Sequence, residues 1–326
     1  MTATATRPRA KKKNTASGDA IPAGLKETSI SVKGHELKFG NLNKVYWPGE
    51  KITKRDMLNY YTAVAPYILP YLKSRPQSLN RFPEGIDHPG FYQKNISDTA
   101  PDWLTTLLYT SDTDGKTTNY LVCKNEADLM YMASLGCIEM NPWHGRVPKV
   151  DYPDWCVIDL DPDTNTFNKV IEVALMVKQV IDAVGVDGYC KTSGSTGLHI
   201  YIPLGAKYTY DQSRMLAQLI VQLVHTELPT FTSLERSPSK RKGKIYLDYL
   251  QNKKTQTIAA PYSLRPKPGA PVSTPLLWEE VTKGLRIRDH NIHTTLPRLQ
   301  ETGDLFAPVL GKGIDLKTVI RNLESR

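Results

Sequence analysis

Between residues 154 and 250 the chain alternates short apolar runs with two long amphipathic stretches, an order that commits this half to a mixed α/β unit with helices packed on a sheet. Residues 154 to 161 read as a strand. Residues 167 to 184 place Val170, Val173, Ala174, Val177, Val180, Ile181 and Val184 at helical spacing, and Gly185 stops them. Strands are expected near 188 to 192 and 198 to 203. A second helix runs from Tyr210 to Leu228, with Met215, Leu216, Leu219, Ile220, Leu223 and Val224 along one side and Pro229 after it. A strand at 245 to 250 completes the unit.

The flanking segments are less regular. Ile30, Val32, His35, Leu37 and Phe39 alternate with polar residues as strands do, and Thr53 with Asp56 three residues later opens a helix. That helix carries Met57, Tyr60, Tyr61 and Val64 and runs into Pro66 and Pro70. An arginine-rich, aromatic stretch and a short helix from about Glu126 to Leu135 follow. Residues from about 29 to 150 are therefore expected to form an N-terminal lobe, and about 151 to 310 the motif-bearing core. Residues 1 to 28 hold Arg7, Arg9, Lys11, Lys12 and Lys13 and almost no large apolar side chains, which predicts a disordered basic tail. A proline-rich strap is expected over 261 to 275, a helix near 276 to 284, and a C-terminal tail over 311 to 326.

Lys and Arg number 42 against 33 Asp and Glu, a formal net charge of +9, which favours a polyanionic partner and above all nucleic acid. Cys123, Cys137, Cys156 and Cys190 lack any metal-binding spacing and read as reduced core residues. With no apolar run of membrane-spanning length and no signal peptide, the expected location is the cytosol, with no membrane partner.

In Trp155-Cys156-Val157-Ile158-Asp159-Leu160-Asp161 an apolar strand ends in carboxylates, and the period of two puts Asp159 and Asp161 on one face. Carboxylates this close repel unless a cation lies between them, and hard oxygen ligands suit Mg²⁺ or Mn²⁺. Alone, the pair also reads as a solvated Asp-Pro-Asp turn. Asp248 sits inside the β-prone run Lys244-Ile245-Tyr246-Leu247-Asp248-Tyr249, where a buried carboxylate needs either a metal or a nearby lysine. Together the three could hold two ions for an in-line phosphoryl displacement.

Lys191-Thr192-Ser193-Gly194-Ser195-Thr196-Gly197-Leu198-His199 is a glycine- and hydroxyl-rich turn between two strands, able to aim N–H and O–H donors at phosphate. It is not a Walker loop, since Leu198 and His199 follow the last glycine. His199 and Tyr201 are expected on the open face of their strand, with Leu198, Ile200 and Ile202 toward the core. Arg265 lies between Pro261 and Pro266, a stiffened backbone that suits an anion clamp.

Asp159-x-Asp161, Ser193 through His199, and Asp248, in this order, resemble the three motifs of the archaeo-eukaryotic primase superfamily. Val45-Tyr46-Trp47-Pro48, Gly90-Phe91-Tyr92-Gln93-Lys94, Lys191-Thr192-Ser193-Gly194, Asp248-Tyr249-Leu250-Gln251-Asn252 and Ala260-Pro261-Tyr262-Ser263-Leu264-Arg265-Pro266 narrow the likeness. They are similar to the polymerase domain of bacterial ligase D, over roughly residues 35 to 310. The resemblance implies a primase catalytic core with an RRM-like sheet and an N-terminal lobe. It also implies template-directed or terminal addition of ribo- or deoxynucleotides to DNA ends in non-homologous end joining. Asp159, Asp161 and Asp248 would bind two Mn²⁺ or Mg²⁺ ions, and Ser193, Ser195, His199 and Arg265 would meet the nucleoside triphosphate, with Lys191 nearby. Lys44 and Lys54 would take the 5′-phosphate of a broken end, Phe91 and Tyr92 would stack on DNA or nucleotide, and Lys94 would join the DNA contacts. Asn141 stands where the family has a sugar-contacting histidine, and Asn80 where a basic residue is expected, which leaves the phosphate contact there to Arg81. The partners implied are DNA with 5′-phosphorylated ends, Ku and a DNA ligase, with two copies pairing across two ends and a place at the bacterial nucleoid. A two-metal nuclease and a non-catalytic DNA-end adaptor are the rival readings of the same residues.

Overall fold

The computed structural model describes residues 21–98, 100–112 and 114–325. The expected N-terminal strands form a hairpin, β1 (Thr28–Val32) with β2 (His35–Phe39). Its turn residues Lys33 and Gly34 both have positive φ, the two-residue geometry that matches strand twist. Helix α1 (Lys54–Leu72) begins where Thr53 and Asp56 place it: Thr53 Oγ1 accepts from the Asp56 N–H, and the Asp56 carboxylate takes the Thr53 N–H at 2.7 Å. It continues through both prolines. Pro66 and Pro70 lie off its buried side, where Val64, Ala65, Ile68, Tyr71 and Leu72 pack, and that packing outweighs the roughly 3 kcal/mol that a mid-helix proline costs.

Five strands follow around a second helix: β3 (Arg75–Arg81), β4 (Phe91–Gln93), β5 (Thr106–Thr110), β6 (Thr117–Cys123), α2 (Glu126–Ser134) and β7 (Cys137–Pro142). They pair antiparallel in the order β4-β3-β6-β5, with β7 also against β3.

The motif-bearing half builds a second sheet. Strand β8 (Trp155–Asp161) leads into α3 (Phe167–Asp182), then β9 (Tyr189–Thr192), β10 (Leu198–Pro203) and α4 (Tyr210–Glu227). Short β11 (Thr232–Ser233), β12 (Ile245–Asp248) and β13 (Pro275–Leu276) complete it, in the order β11-β12-β8-β10-β9-β13. Every neighbouring pair is antiparallel except β11 with β12. β12 ends at Asp248 rather than 250 because the Asp248 carboxylate accepts the Leu250 N–H at 2.7 Å and bends the chain.

Both faces of this sheet are covered. Cys156, Ile158, Leu160, Ile200 and Ile202 pack with α3 and α4. Trp155, Val157 and Tyr201 point the other way, into one hydrophobic cluster with α1, α2 and the first sheet. The expectation of an open face for His199 and Tyr201 is thus corrected: they are 4% and 1% exposed. The chain returns after β12 to close that face, burying Ala260, Tyr262, Leu264 and Val272, and Tyr60 donates its hydroxyl proton to the Tyr262 carbonyl at 2.7 Å.

The C-terminal expectations change more. The helix expected near 276 to 284 shrinks to a 3₁₀ turn, Trp278–Glu280, because Pro275–Leu276 is drawn into the sheet and the Glu280 carboxylate turns back onto the Leu277 N–H. Two further helices are present, α5 (Thr295–Thr302) and α6 (Leu316–Glu324). The latter lies within the stretch expected as a tail: Leu316, Val319 and Leu323 recur at helical spacing and bury against the α3/α4 core. Of the basic tail expected over 1 to 28, residues 1–20 lie outside those described. From Ile21 the chain is docked, with Ile21 3% exposed and its N–H on Asn59 Oδ1 at 2.7 Å. The four cysteines are free and buried, and no helix among the described residues is long and apolar enough to cross a membrane.

Candidate active site

Strand register lines up the chemistry. Asp248 on β12 lies opposite Asp159 on β8, Asp159 opposite His199 on β10, and His199 opposite Lys191 on β9. Directly opposed residues share a face and bring their Cβ atoms to about 5 Å, so four motif residues form one row across four strands. Asp161 follows Asp159 on the same face, at the strand end. Burial, then the charges of Asp248 and Asp161, push the Asp159 carboxyl up to about 7, against the pull of Lys191 and Arg265. Burial likewise raises Asp248.

Among the described residues no group of three or more His, Cys, Asp or Glu side chains closes into a ready metal cage. Asp161 is drawn aside by Arg241 Nη1 at 3.2 Å, and Asp248 accepts from the Tyr246 hydroxyl at 3.2 Å. The donor set nevertheless fits hard dications: the ligands are carboxylates on rigid neighbouring strands, and the repulsion that adds to burial in raising Asp159 is what an intervening cation relieves.

The Ser193–Gly197 turn closes on itself. Ser193 Oγ accepts the N–H groups of Ser195 and Gly197, each at 3.0 Å, so these two donors, expected to face phosphate, are spent within the turn. Two glycines make the turn possible. Gly194 has φ +69°, and a Cβ on Gly197 would lie 2.0 Å from the Leu160 carbonyl oxygen. Facing the turn, Arg265 donates from Nε to Glu139 at 3.0 Å and from Nη1 to the Ser193 carbonyl. Glu139 escaped the sequence reading, although a carboxylate in the apolar run Cys137-Ile138-Glu139-Met140 was its signal.

Asp159, Asp161, Ser193, Ser195, His199, Arg265, Asn141, Tyr92 and Lys94 all line one cavity of about 520 Å³, within the range of small-molecule sites. Thr196, within the hydroxyl-rich turn, lines it too, as does Ser78, which sequence reasoning did not name. Two expected members do not reach it. Asp248 lines a different cavity, with Arg236, Arg241 and Lys253. Lys191 has no exposed surface, and its Nζ bonds His199 Nδ1 at 2.7 Å, Ala259 O at 2.9 Å and Ser273 Oγ at 2.6 Å, so a direct nucleotide contact by Lys191 is corrected to a buried role. Burial, Lys191 and Arg265 hold His199 well below the usual imidazole range, so the ring is neutral.

Tyr92 and Lys94 also line an adjoining cavity of about 630 Å³ with Arg81 and Phe91. Phe91 and Tyr92 are 48% and 60% exposed, an unusual display of aromatic surface. Arg81 is partly spent on the Leu135 carbonyl and Gln93 Oε1, each at 2.8 Å. Around Lys54 a second cluster forms. Burial, then the charges of Lys44 and Arg81, push the Lys54 amine down to about 8. Lys44 pairs with Glu84 at 2.7 Å, while among the described residues no carboxylate pairs with Lys54.

An acidic row beside a phosphate-sized turn and an arginine, on a sheet buried on both faces, defines a nucleotidyltransferase of the primase-polymerase class. Residues 53–306 match the family model described as the LigD primase-polymerase domain, and the chain belongs to that family. It is 33% identical over 273 residues to the Bacillus subtilis bifunctional non-homologous end joining protein LigD, covering 83% of this chain and 44% of that protein. To the multifunctional LigD of Mycolicibacterium smegmatis it is 30% identical over 281 residues, covering 84% and 36%. The chain thus spans less than half the length of these relatives. The polymerase domain of Mycobacterium tuberculosis ligase D, solved in complex with DNA, superposes with a TM-score of 0.78 at 28% identity, covering 85% of this chain and 99% of that one.

Proposed function

We propose that the chain extends or fills DNA ends with ribo- or deoxynucleotides during non-homologous end joining in the bacterial nucleoid. The observation that carries this is the convergence of Asp159, Asp161, Ser193, His199 and Arg265 on one cavity of nucleotide size. Asp159, Asp161 and Asp248 would hold two Mn²⁺ or Mg²⁺ ions, which when bound supply Lewis-acid stabilisation to the attacking hydroxyl and the leaving pyrophosphate. Asp161 must first leave Arg241.

The protein's own groups do the rest. The Ser193 hydroxyl, accepting two N–H groups, keeps its proton free to donate to a phosphate oxygen. His199 and Arg265 would supply further donors, which would fix the triphosphate along the turn. Asn141, 3% exposed on β7, lines the same cavity and would meet the sugar of the nucleotide. Tyr92 and Lys94, shared by the two cavities, suit a base and the phosphate of a template strand, and exposed Phe91 a second base. Lys44, Lys54 and Arg81 form the pocket for a 5′-phosphate. Ku, a ligase and a second copy across the break remain the partners that this role calls for.

The test is extension of a labelled, recessed primer with a 5′-phosphorylated downstream strand, in Mn²⁺ or Mg²⁺, with ribo- or deoxynucleotides. Wild-type extension that Asp159→Ala abolishes supports the assignment; equal incorporation by that variant sinks it. DNA cleavage without nucleotides would favour the nuclease, and 5′-phosphate-dependent binding with no turnover the adaptor.

A further inference from the structure

A lysine with no solvent exposure, three hydrogen bonds and no carboxylate partner among the described residues calls for an explanation. Proton bookkeeping around Lys191 gives one. The Ala259 carbonyl can only accept. Ser273 Oγ gives its own proton to the Thr192 carbonyl at 2.7 Å and so meets Lys191 with a lone pair. Burial and then the Arg265 charge pull the Lys191 amine well below the usual lysine range, against the charge of Asp159; in its charged form two of its three protons are thereby assigned, and the third points at His199 Nδ1, 2.7 Å away. The Tyr201 ring, its centroid 5.6 Å from Nζ, presents a face that suits a cation. On the far side of the imidazole, Nε2 lies 3.4 Å from Asp159 Oδ1. Against the ionised Asp159 that a bound cation requires, a bare Nε2 would set lone pair against lone pair, so the ring's single proton then belongs on Nε2 and Nδ1 is the acceptor.

We infer that Lys191 is a positioning residue that locks the tautomer and the plane of His199, presenting Nε2–H to the cavity as a fixed donor for the incoming triphosphate. Lys191 itself touches no substrate. The inference rests on the reading of the cavity as a triphosphate site, and it explains why a lysine occupies a buried sheet position next to a neutral histidine. A side chain that donates from one fixed point leaves the ring no second orientation, whereas a water or a hydroxyl in its place could donate or accept.

The experiment is a two-bond ¹H–¹⁵N correlation spectrum of the ¹⁵N-labelled chain in Mg²⁺, with the His199 signals assigned by their loss in His199→Ala. The Nε2–H tautomer is expected, and an Nδ1–H tautomer in the wild type overturns the inference without any Lys191 variant. Lys191→Met should raise KM for the nucleoside triphosphate about tenfold, the worth of one hydrogen bond to a charged group, with kcat changed less. Lys191→Gln, which keeps a donor, should recover part of that loss. In a His199→Ala background Lys191→Met should add nothing further; losses that multiply would show Lys191 acting independently and end the proposal. If His199→Ala leaves KM unchanged while the wild type shows Nε2–H, the triphosphate reading fails, and the assigned role with it, although the tautomer assignment stands.

Discussion

The carboxylates at the ends of β8 and β12 and the cations around Lys54 are both clusters of like charge, yet they are built differently. Asp159 and Asp248 are fixed in register on adjacent strands and cannot move apart, so burial first, and then the charge of Asp248, raise the Asp159 carboxyl to about 7. Lys44, Lys54 and Arg81 come from a loop, a helix start and a strand end, and two of them have found local partners: Lys44 takes Glu84, and Arg81 takes Gln93 and the Leu135 carbonyl. Lys54 alone keeps an unrelieved burden. The acidic row has only Asp161 to free from Arg241 before it can hold a ligand, whereas the cationic cluster must give up contacts at both Lys44 and Arg81. Disrupting the first should therefore cost far more than disrupting the second.

The largest effect is expected at Asp159. Its replacement by Ala should lower nucleotide incorporation by about 10³-fold or more, the scale of losing a central electrostatic element, with 5′-phosphate-dependent DNA binding kept within about twofold. Primer extension and fluorescence anisotropy on one preparation check both halves. Comparable losses in the two assays would erase the distinction between the clusters. Next comes Arg265→Ala, expected to raise the nucleotide KM by about 10- to 100-fold through loss of a charged clamp. It also strands buried Glu139, so thermal unfolding should show a stability loss of about 3 kcal/mol, which Glu139→Gln in the same chain partly restores.

Lys54→Met sharpens the contrast, because binding and stability should move in opposite directions. It should weaken 5′-phosphate-dependent binding about tenfold and leave incorporation on an unphosphorylated substrate intact. Lys54 falls from 10.5 to about 8 on folding, so its charged form is disfavoured in the folded state. That penalty, on the order of 3 kcal/mol, is fully present below pH 8 and disappears as pH rises toward 10.5. The variant should consequently be more stable than wild type at pH 7 in urea unfolding. Wild-type end binding should weaken as pH rises through about 8, and a flat profile from pH 7 to 9 would remove Lys54 from the pocket. The smallest effect belongs to Tyr92→Ala, about 1 kcal/mol in single-strand template affinity and little in stability, since the ring is already exposed.

The motif-bearing sheet was legible because its strands are short, its helices strongly amphipathic, and its carboxylates stand out against apolar neighbours. The N-terminal lobe was less so: β3 pairs with β4, β6 and β7, and residue 78 meets residue 141, a register that no local pattern encodes. Alternation along β10 assigned the two faces, but the cover over His199 comes from a segment 60 residues downstream. The full burial of Lys191 was hidden for the same reason, because a lysine on a strand normally marks an exposed face. Helix α6 shows a three-four spacing in its own sequence, and only its short length hid it. Glu139 and Ser78 enter the cavity through sheet pairing rather than through motif spacing.

Mn²⁺ titration into the chain, followed by the electron paramagnetic resonance signal of the free ion, tests the acidic row most directly. Wild type should take up ions that Asp159→Asn and Asp248→Asn each fail to hold, with Lys54→Met binding as the wild type does. Undiminished Mn²⁺ uptake in both aspartate variants would contradict the assignment of the strand-end carboxylates as the metal ligands.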